Sequence, residues 1–289
     1  MASGLGLDGG SPEISDGDQV AAASEQPAGD AYLLPRHPSE QDRLDIQHYA
    51  MREALRRNYL APVQAPVAVL DVGCGTGQWA FEVCAERLEA MVVGFDLVPS
   101  KPAPAANYRF VRGNLLQGLP FAEGRFDFVH QRLLQSGVPL KSWSGVVQDL
   151  VRVTRPGGWV ELVEIENDVK AGGPATRRLL ELLLQLAGSR GLDRAGVLFR
   201  ELDAYLLGAG LREVQRRDVD VPIGDWGGRI GSLMASDLRA LYTRLSDVFQ
   251  ANLGVSADEC RDLITQMSRE LNEYRTVNTF GVAYGRKLI

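Results

Sequence analysis

Residues 69–77 read Val69-Leu70-Asp71-Val72-Gly73-Cys74-Gly75-Thr76-Gly77, and this stretch decides the fold. The apolar residues 67–70 predict a short buried strand, three glycines follow at alternate positions, and a helical pattern comes next. Glycine is needed where the backbone turns tightly and a ligand comes close, because a Cβ would block the approach. Strand, glycine turn and helix make the first half of a nucleotide-binding βαβ unit, whose helix start offers unpaired N–H groups to an anion.

The glycines alone leave two classes of ligand open. Residues 75–80, Gly-Thr-Gly-Gln-Trp-Ala, also fit the dinucleotide fingerprint G-x-G-x-x-A, which indicates a nicotinamide-dependent dehydrogenase. Asp71 stands two positions before the first glycine, where it would repel a pyrophosphate and attract an ammonium group. The methionine part of S-adenosylmethionine (SAM) carries such an ammonium group, so Asp71 favours SAM over NAD(P).

Length and charge limit the remaining function classes. The 289 residues can bury a full α/β core with additions. Six of the 37 acidic residues and none of the 31 basic ones lie in residues 1–30, which accounts for the whole net charge of −6. The remaining body is neutral and shows no bulk charge signature of nucleic-acid binding.

Cysteine usage and hydropathy indicate an intracellular protein. The three cysteines show no disulfide framework, and neither they nor the His, Asp and Glu residues have metal-ligand spacing, so no metal is expected. No apolar run is long enough to span a membrane, and the acidic start is unlike a signal peptide. We therefore expect a cytoplasmic protein that binds neither membranes nor nucleic acid.

The chain divides into three predicted parts. Residues 1–30 are polar and without periodicity, which predicts a disordered acidic tail. Residues 31–62 hold a helix that starts with Ser39 as N-cap, carries His48 on its apolar stripe and continues to about Tyr59. Residues 63–289 form the main domain, with helical additions at about 172–210 and 226–275.

Strands alternate with helices through the first half of the main domain. The predicted strands are 67–70, 91–96, 108–111, 126–130 and 159–165, with a helix at 142–153 and a turn at 155–158. Helices follow at about 175–187, 198–207, 232–252 and 256–274, and strands at 213–221 and 277–284. The alternation predicts a parallel sheet covered on both faces. Asp127 lies inside a strand and is expected to be structural. Glu164 and Glu166 are expected on a solvated edge, with a position facing the pocket as the alternative.

With these motifs assembled, the chain resembles the class I SAM-dependent methyltransferases. The residues that carry the likeness are 71–77, Asp96, Gly113-Asn114-Leu115, 126–129 and Arg155-Pro156-Gly157-Gly158. Further motifs resemble the LaeA/UMTA-type enzymes of secondary metabolism. These are Tyr32-Leu33-Leu34-Pro35, Arg43-Leu44-Asp45-Ile46-Gln47-His48, Val129-His130-Gln131-Arg132, Gly158-Trp159-Val160-Glu161, Pro222-Ile223-Gly224-Asp225-Trp226 and Tyr284-Gly285-Arg286-Lys287. The likeness covers roughly residues 32–288.

The resemblance implies a Rossmann-like α/β fold, with a seven-strand, mostly parallel sheet, helices on both faces and the last strand antiparallel. It places SAM at the carboxyl ends of the first two strands and an N-terminal helix over the cofactor as a lid. Asp96 would accept the ribose hydroxyls. Asn114 stands where most class I enzymes carry Asp, so a weaker contact to adenine is expected. The full set of predicted cofactor contacts is Asp71, Gly73, Cys74, Gly75, Gly77, Asp96, Leu97, Asn114, Leu115, His130, Gln131, Tyr32, Arg43 and Gln47.

Two histidines are candidate catalytic bases. His130 stands at the predicted carboxyl end of a strand, where this fold presents groups to ligands, and it could act as a base, hold the methionine part of SAM or only close the strand. His48 could be a base or a satisfied core residue. Trp226 and Met234 are candidates for the substrate wall, with core filling as the alternative.

The predicted activity is transfer of a methyl group from SAM to a small molecule, a natural-product intermediate, leaving S-adenosylhomocysteine. The main alternative is a SAM-binding regulator or protein methyltransferase that acts through protein partners, with the acidic tail as a contact segment. The third hypothesis is a nicotinamide-dependent dehydrogenase. Neither the acceptor atom nor the oligomeric state follows from the sequence.

Overall fold

The predicted sheet is present and contains seven strands. A computed structural model describes residues 38–99, 101 and 105–289, so the predicted tail and Tyr32 lie outside the described residues. The strand order is β3-β2-β1-β4-β5-β7-β6, and β7 runs antiparallel to both of its neighbours. The strands are β1 (Ala68–Val72), β2 (Met91–Asp96), β3 (Tyr108–Arg112), β4 (Phe126–Arg132), β5 (Thr154–Ile165), β6 (Arg212–Pro222) and β7 (Val277–Arg286).

Helices cover both faces of this sheet, which confirms the predicted fold class. The helices are α1 (Pro38–Leu55), α2 (Gln78–Glu86), α3 (Trp143–Val153), α4 (Pro174–Ser189), α5 (Val197–Arg200), α6 (Leu202–Gly208), α7 (Gly228–Leu253) and α8 (Ala257–Glu273). Helix α2 packs Trp79 and Val83 on one face of β1 and β2, while α3 and α6 bury apolar residues on the other face. In the described part of the chain, no helix is long and apolar enough to cross a membrane.

A third apolar cluster lies above the carboxyl edge of the sheet. It joins Met51 of α1, Leu182 of α4, Leu245 and Phe249 of α7 and Met267 of α8. Burial of a Leu or Phe side chain contributes about 1.5–3 kcal/mol, so this cluster fixes the helical layer on the sheet. The layer and the sheet edge enclose the space in which the candidate site lies.

Several predicted boundaries were wrong. Helix α1 begins at Pro38, so Ser39 lies within its first turn, and it ends at Leu55. The predicted turn at residues 155–158 belongs to β5, because Gly157 N and Gly158 O pair with the backbone of Lys287. The single helix predicted at 198–207 breaks at Glu201, whose φ of −113° and ψ of 17° leave the helical region. Ser256 caps α8, since its side chain accepts from Glu259 N.

The start of α4 is capped by a residue 95 positions away. Glu270 of α8 is buried, and its Oε1 accepts from Ala175 N (2.9 Å) while its Oε2 accepts from both Thr176 N and Thr176 Oγ1 (2.8 Å each). A carboxylate is well placed at a helix N-terminus, where free N–H groups and the helix dipole both favour negative charge. Glu270 therefore fixes the angle between α4 and α8.

Glu270→Gln is expected to lower the free energy of unfolding by roughly 2 kcal/mol, because an amide leaves at least one buried donor without an acceptor. Urea denaturation midpoints measure this change. The exposed Glu273→Gln on the same helix is the matched control and should stay within about 0.5 kcal/mol of the parent. An equal response of the two variants would contradict the capping role.

Candidate active site

The glycine turn is tied to the end of β2. Gly73 N and Cys74 N both donate to Phe95 O, at 2.8 and 3.2 Å. Gly73 has a φ of +71° and Gly75 a φ of +54°, and a Cβ on Gly73 would lie 2.4 Å from the side chain of Leu134. Glycine is required at this turn for its conformation and, at Gly73, also for lack of space. The turn is therefore held in one shape beside the sheet edge.

Asp96 at the end of β2 holds the same turn through its side chain. Its Oδ2 accepts from Gly75 N (2.9 Å) and its Oδ1 from Val98 N (3.1 Å). Burial raises the pKa of this carboxyl group, and the backbone N–H donors oppose the rise. Each carboxylate oxygen can accept a second hydrogen bond, and Asp96 lines the cavity, so the carboxylate is able to accept two ribose hydroxyls.

Asp71 is buried beneath the turn with one oxygen unpaired. Its Oδ1 lies 3.1 Å from His130 Nδ1, while its Oδ2 has no hydrogen-bond partner among the described residues. Asp71 lines the cavity, but its Oδ2 is itself closed to solvent, so a ligand donor reaches this oxygen only with a small shift of the neighbouring side chains. A buried carboxylate oxygen without a donor is costly, so a donor from a ligand is expected at this position.

His130 lies behind Asp71 rather than in the cavity. Its ring stacks on Trp79 with centroids 3.9 Å apart and planes 3° apart, and burial lowers its pKa. A carboxylate can only accept, so the neutral ring donates from Nδ1 to Asp71. His130 Nε2 faces Glu161 Oε1 at 4.0 Å.

Glu161 continues this buried row to the segment that leads into β1. Its Oε2 accepts from Leu60 N (2.7 Å) and Ala61 N (2.6 Å), and burial raises its pKa to about 7. We call Asp71, His130 and Glu161 the buried row. It connects the segment after α1 to the unpaired oxygen of Asp71.

The predicted roles of His130 and Gln131 do not fit this geometry. Neither residue lines the cavity, so direct contact with a ligand or a catalytic base at His130 is a correction to the sequence interpretation. Gln131 is fully buried and donates from Nε2 to Glu164 Oε1 (2.6 Å). The cause is the length of β4, which continues to Arg132 and places both side chains inside the sheet layers.

Glu164 also differs from its prediction as a solvated residue. It is fully buried and accepts from Gln131 and from Leu134 N (2.8 Å), and burial raises its pKa to about 8. Glu166, by contrast, is partly exposed and lines the cavity. Asp127 is structural as expected, because its Oδ2 accepts from Val67 N and Ala68 N and its Oδ1 pairs with Arg155.

Helix α1 lies over the glycine turn and is held there by Asp45, which the sequence analysis did not single out. Thr76 Oγ1 donates to Asp45 Oδ1 (2.7 Å), and Lys101 Nζ donates to Asp45 Oδ2 (2.6 Å). Leu44 of the same helix comes within 3.5 Å of where a Cβ on Gly75 would lie. Helix α1 thus forms the roof of the cavity.

The far side of α1 is joined to α7 by buried ion pairs. Arg43 donates to Asp237 Oδ1 (2.6 Å) and to Glu40, Gln47 Nε2 lies 3.5 Å from Asp237 Oδ2, and Glu40 also pairs with Arg244. Arg43 and Gln47 both line the cavity. The partners named here are protein carboxylates, so the predicted cofactor contacts of these two residues stay a prediction.

His48 lines the cavity but is poorly suited to act as a base. Its Nδ1 lies 3.2 Å from Arg132 and its Nε2 lies 3.3 Å from Glu82, so both ring nitrogens have protein neighbours. Burial, followed by the charge of Arg132, lowers its pKa to about 3. A group with that pKa holds a proton too weakly to catalyse proton removal near pH 7.

Most of the other predicted cofactor residues meet at the cavity wall. Asn114 lines it, and its Oδ1 already accepts from Leu116 N (3.0 Å), with Cys74, Leu97 and Leu115 beside it. Gly77 does not line the cavity and instead begins α2 with a φ of +85°. Met234 lines the cavity, whereas Trp226 does not: Trp226 is 39% exposed just before α7, and its Nε1 donates to Ile223 O. The substrate contacts of both residues stay predictions.

The cavity has a volume of about 960 Å³. Ligand pockets span roughly 300–1,000 Å³, so this space is at the upper end and can hold a cofactor together with a second molecule. One half is formed by the glycine turn, Asp71, Asp96 and Asn114. The other half lies between α4 and α7, and we call it the chamber.

The cofactor half fits SAM on three observations. The unpaired Oδ2 of Asp71 suits an ammonium group, the lone pairs of Asp96 suit a ribose diol, and the positive-φ glycines leave the backbone open to close approach. The bound cofactor would supply an activated methyl group on a sulfonium. The described residues bind, orient and exclude water, and they form no cluster of three or more His, Cys, Asp or Glu that could hold a metal.

We expect His130 to position Asp71 for the ammonium group. His130→Phe keeps a ring against Trp79 but removes the donor, so S-adenosylhomocysteine should bind roughly 10–100-fold more weakly. His130→Asn keeps a donor near the Nδ1 position and should retain most of the affinity. Methylthioadenosine lacks the amino-acid part, and its affinity should not change. Calorimetric titration of both ligands tests this, and parallel loss of both affinities in His130→Phe would indicate a merely structural role.

Glu161 and Glu164 predict a fall in stability as pH rises. Their pKa values of about 7 and about 8 exceed the ordinary 4.5, so the folded protein keeps protons that the unfolded chain has lost. Between about pH 6.5 and pH 8.5 the free energy of unfolding should fall by on the order of 2 kcal/mol. His48 opposes this trend only below about pH 6.5, since its pKa is lowered. Urea midpoints measured across the window test the slope, which Glu164→Gln should reduce and which a flat profile would contradict.

Comparisons with known proteins agree with this geometry. Residues 69–158 match the model of the family described as "Methyltransferase domain". The chain is 26% identical over 271 residues to the N-methyltransferase sirN of Leptosphaeria maculans, covering 89% of this chain and 94% of that protein. It is 33% identical over 204 residues to the secondary metabolism regulator laeA of Aspergillus fumigatus, covering 68% of this chain and 54% of that protein. The chain thus spans about half the length of that regulator.

A solved structure shares the fold. It is the phosphoethanolamine N-methyltransferase 2 of Haemonchus contortus in complex with S-adenosylhomocysteine, with a TM-score of 0.50 and 15% identity, covering 89% of this chain and 55% of that chain. The same family is indicated by the order of the strands, by the glycine turn, by the matched family model and by the relatives. The protein belongs to the class I SAM-dependent methyltransferases.

Proposed function

We propose that the protein methylates a nitrogen atom of a small organic molecule bound in the chamber. The observation that carries this proposal is the cavity itself, which continues from the glycine turn into a largely apolar space between α4 and α7. The roof helix α1 closes over the cofactor half and serves as the lid. Residues 172–210 and 226–275 supply the chamber walls.

Among the described residues, no histidine is placed to act as a base, which favours nitrogen as the acceptor atom. His48 Nδ1 faces Arg132, its Nε2 is closed to solvent beside Glu82, and His130 lies outside the cavity. A hydroxyl acceptor gains about 10²–10⁴-fold from a base, whereas a neutral nitrogen attacks with its own lone pair. The N–C bond forms as the S–C bond breaks, and the nitrogen then gives its proton to water. Alignment within the cavity supplies roughly 7–11 kcal/mol.

The relatives support this choice in part. The N-methyltransferase sirN is similar along nearly its whole length, so its additions outside the sheet have counterparts here. A natural-product intermediate is the acceptor that this likeness favours. The alternative is a regulatory or protein-methylating role, favoured by the 33% identity to laeA. The chamber lies between α4 and α7 beneath α1, and its size suits a small molecule, which argues for a small-molecule acceptor.

Incubation with methyl-tritiated SAM tests the proposal. A panel of neutral secondary amines, nitrogen heterocycles, phenols and alcohols is offered beside unfolded peptides, and products are identified by mass spectrometry. We expect N-methylated small molecules and an equal yield of S-adenosylhomocysteine. Asp96→Ala should abolish turnover, while the exposed Asp258→Ala on α8 should not. Label in the peptides alone would overturn the small-molecule assignment and support the regulatory role.

A further inference from the structure

The hydroxyl group of Tyr242 has no protein partner. Tyr242 lies on α7 with 2% of its surface exposed, and it lines the cavity. No hydrogen bond to its hydroxyl is found among the described residues. Unlike Asp71 Oδ2, which is closed to solvent, the Tyr242 oxygen is accessible from the cavity. Burial raises the pKa of the phenol, which therefore stays protonated.

The surroundings of this hydroxyl are apolar. Leu238 lies one turn before Tyr242 on the same face of α7. Most of the other residues that α4 and α7 contribute to the chamber wall are also apolar: Leu180, Leu183, Leu184, Ala187, Met234 and Leu241. A buried polar group usually has a partner, and one that borders a ligand cavity without a partner indicates a contact made by the ligand.

The buried charges around the chamber are already compensated. Asp237 pairs with Arg43, and Asp193 accepts from Ala195 N (3.1 Å) with one oxygen and from Leu198 N (2.7 Å) with the other. Arg132 also lines the cavity, where it contacts His48 Nδ1 at 3.2 Å and is under the field of the carboxylates of Asp71, Glu82 and Glu161. The other charged residues of the chamber wall are accessible to water, which screens them: Glu166, Asp168 and Arg190. A charged acceptor would lose its hydration inside the chamber without gaining an unpaired opposite charge there.

Resting on the methyl transfer proposed above, we propose that Tyr242 hydrogen-bonds the methyl acceptor and that the chamber selects neutral, largely apolar molecules with one polar N–H or carbonyl group. The phenol both donates and accepts a hydrogen bond, so it fixes the orientation of such a molecule. Amino acids, phosphate esters and cationic amines are excluded by the cost of desolvating their charge.

The hydrogen bond from Tyr242 is tested by measuring how indole and indene bind to the parent protein and to Tyr242→Phe. Indole and indene have nearly the same shape, but only indole carries an N–H group. Their affinities are measured by ligand-observed NMR on the full chain saturated with S-adenosylhomocysteine. Tyr242→Phe should lower the affinity for indole by roughly threefold to tenfold and leave the affinity for indene unchanged. Equal changes for both ligands, or none for indole, would overturn the role of Tyr242.

The preference of the chamber for neutral molecules is tested with charged derivatives of indole. Tryptamine and indole-3-acetate add a cation and an anion to indole, and both should bind at least tenfold more weakly than indole itself. Charged ligands that bind as tightly as indole, or failure of all these probes to bind, would refute the proposed selectivity. Saturation by S-adenosylhomocysteine in the same samples separates this failure from loss of the cofactor site. Turnover remains the separate test of methyl transfer.

The thermal midpoint of the free protein gives an independent readout. Removing a hydroxyl that has no partner should leave the midpoint of Tyr242→Phe equal to or above that of the parent. A structural tyrosine would give the opposite result, with a lower midpoint and an unchanged indole affinity.

Discussion

The site depends on keeping a carboxylate ionised inside the protein with one oxygen unpaired. A buried charge is costly unless it is hydrogen-bonded or paired. Asp71 receives one donor from His130, whose ring is fixed by its stacking on Trp79, and the bonds of Glu161 to Leu60 N and Ala61 N complete the buried row. The other oxygen of Asp71 has no protein donor. The ammonium group of a ligand would therefore compensate a carboxylate charge that the folded chain leaves partly unpaired.

The cofactor half of the cavity and the chamber are held in place by different kinds of contact. The sheet edge holds the cofactor half through short-range backbone bonds of the glycine turn. The chamber is built by long-range contacts instead: Asp45 holds α1 on the turn, Asp237 joins α1 to α7, and Glu270 sets α4 against α8. A change in the helical layer can therefore alter the acceptor without disturbing the cofactor.

The sequence predicted the parts of the site that depend on local structure. Asp71, the glycines and Asp96 follow from one strand–turn–helix pattern, so their meeting at one edge was expected. Asp45, Glu270 and Tyr242 were missed, because their roles depend on elements 31 to 95 residues away or on space between helices. His130 was misplaced, since two further residues of β4 carry the strand end beyond it.

Two other differences from the predictions have similar physical causes. Glu164 looked solvated because carboxylates rarely lie buried, yet donors from Gln131 and Leu134 N make its burial tolerable. Trp226 looked like a wall residue because large aromatic side chains often line pockets, but the tight passage from β6 into α7 turns its ring outward.

Calorimetric titration of the full chain with S-adenosylhomocysteine tests the central claim most directly. The account predicts one saturable site per chain, weakened at least tenfold by Asp71→Asn, because the amide cannot match the charge of the carboxylate toward an ammonium group. Methylthioadenosine should bind the parent and Asp71→Asn equally. Unchanged affinity of S-adenosylhomocysteine for Asp71→Asn would contradict the claim that the unpaired oxygen of Asp71 is the ammonium site.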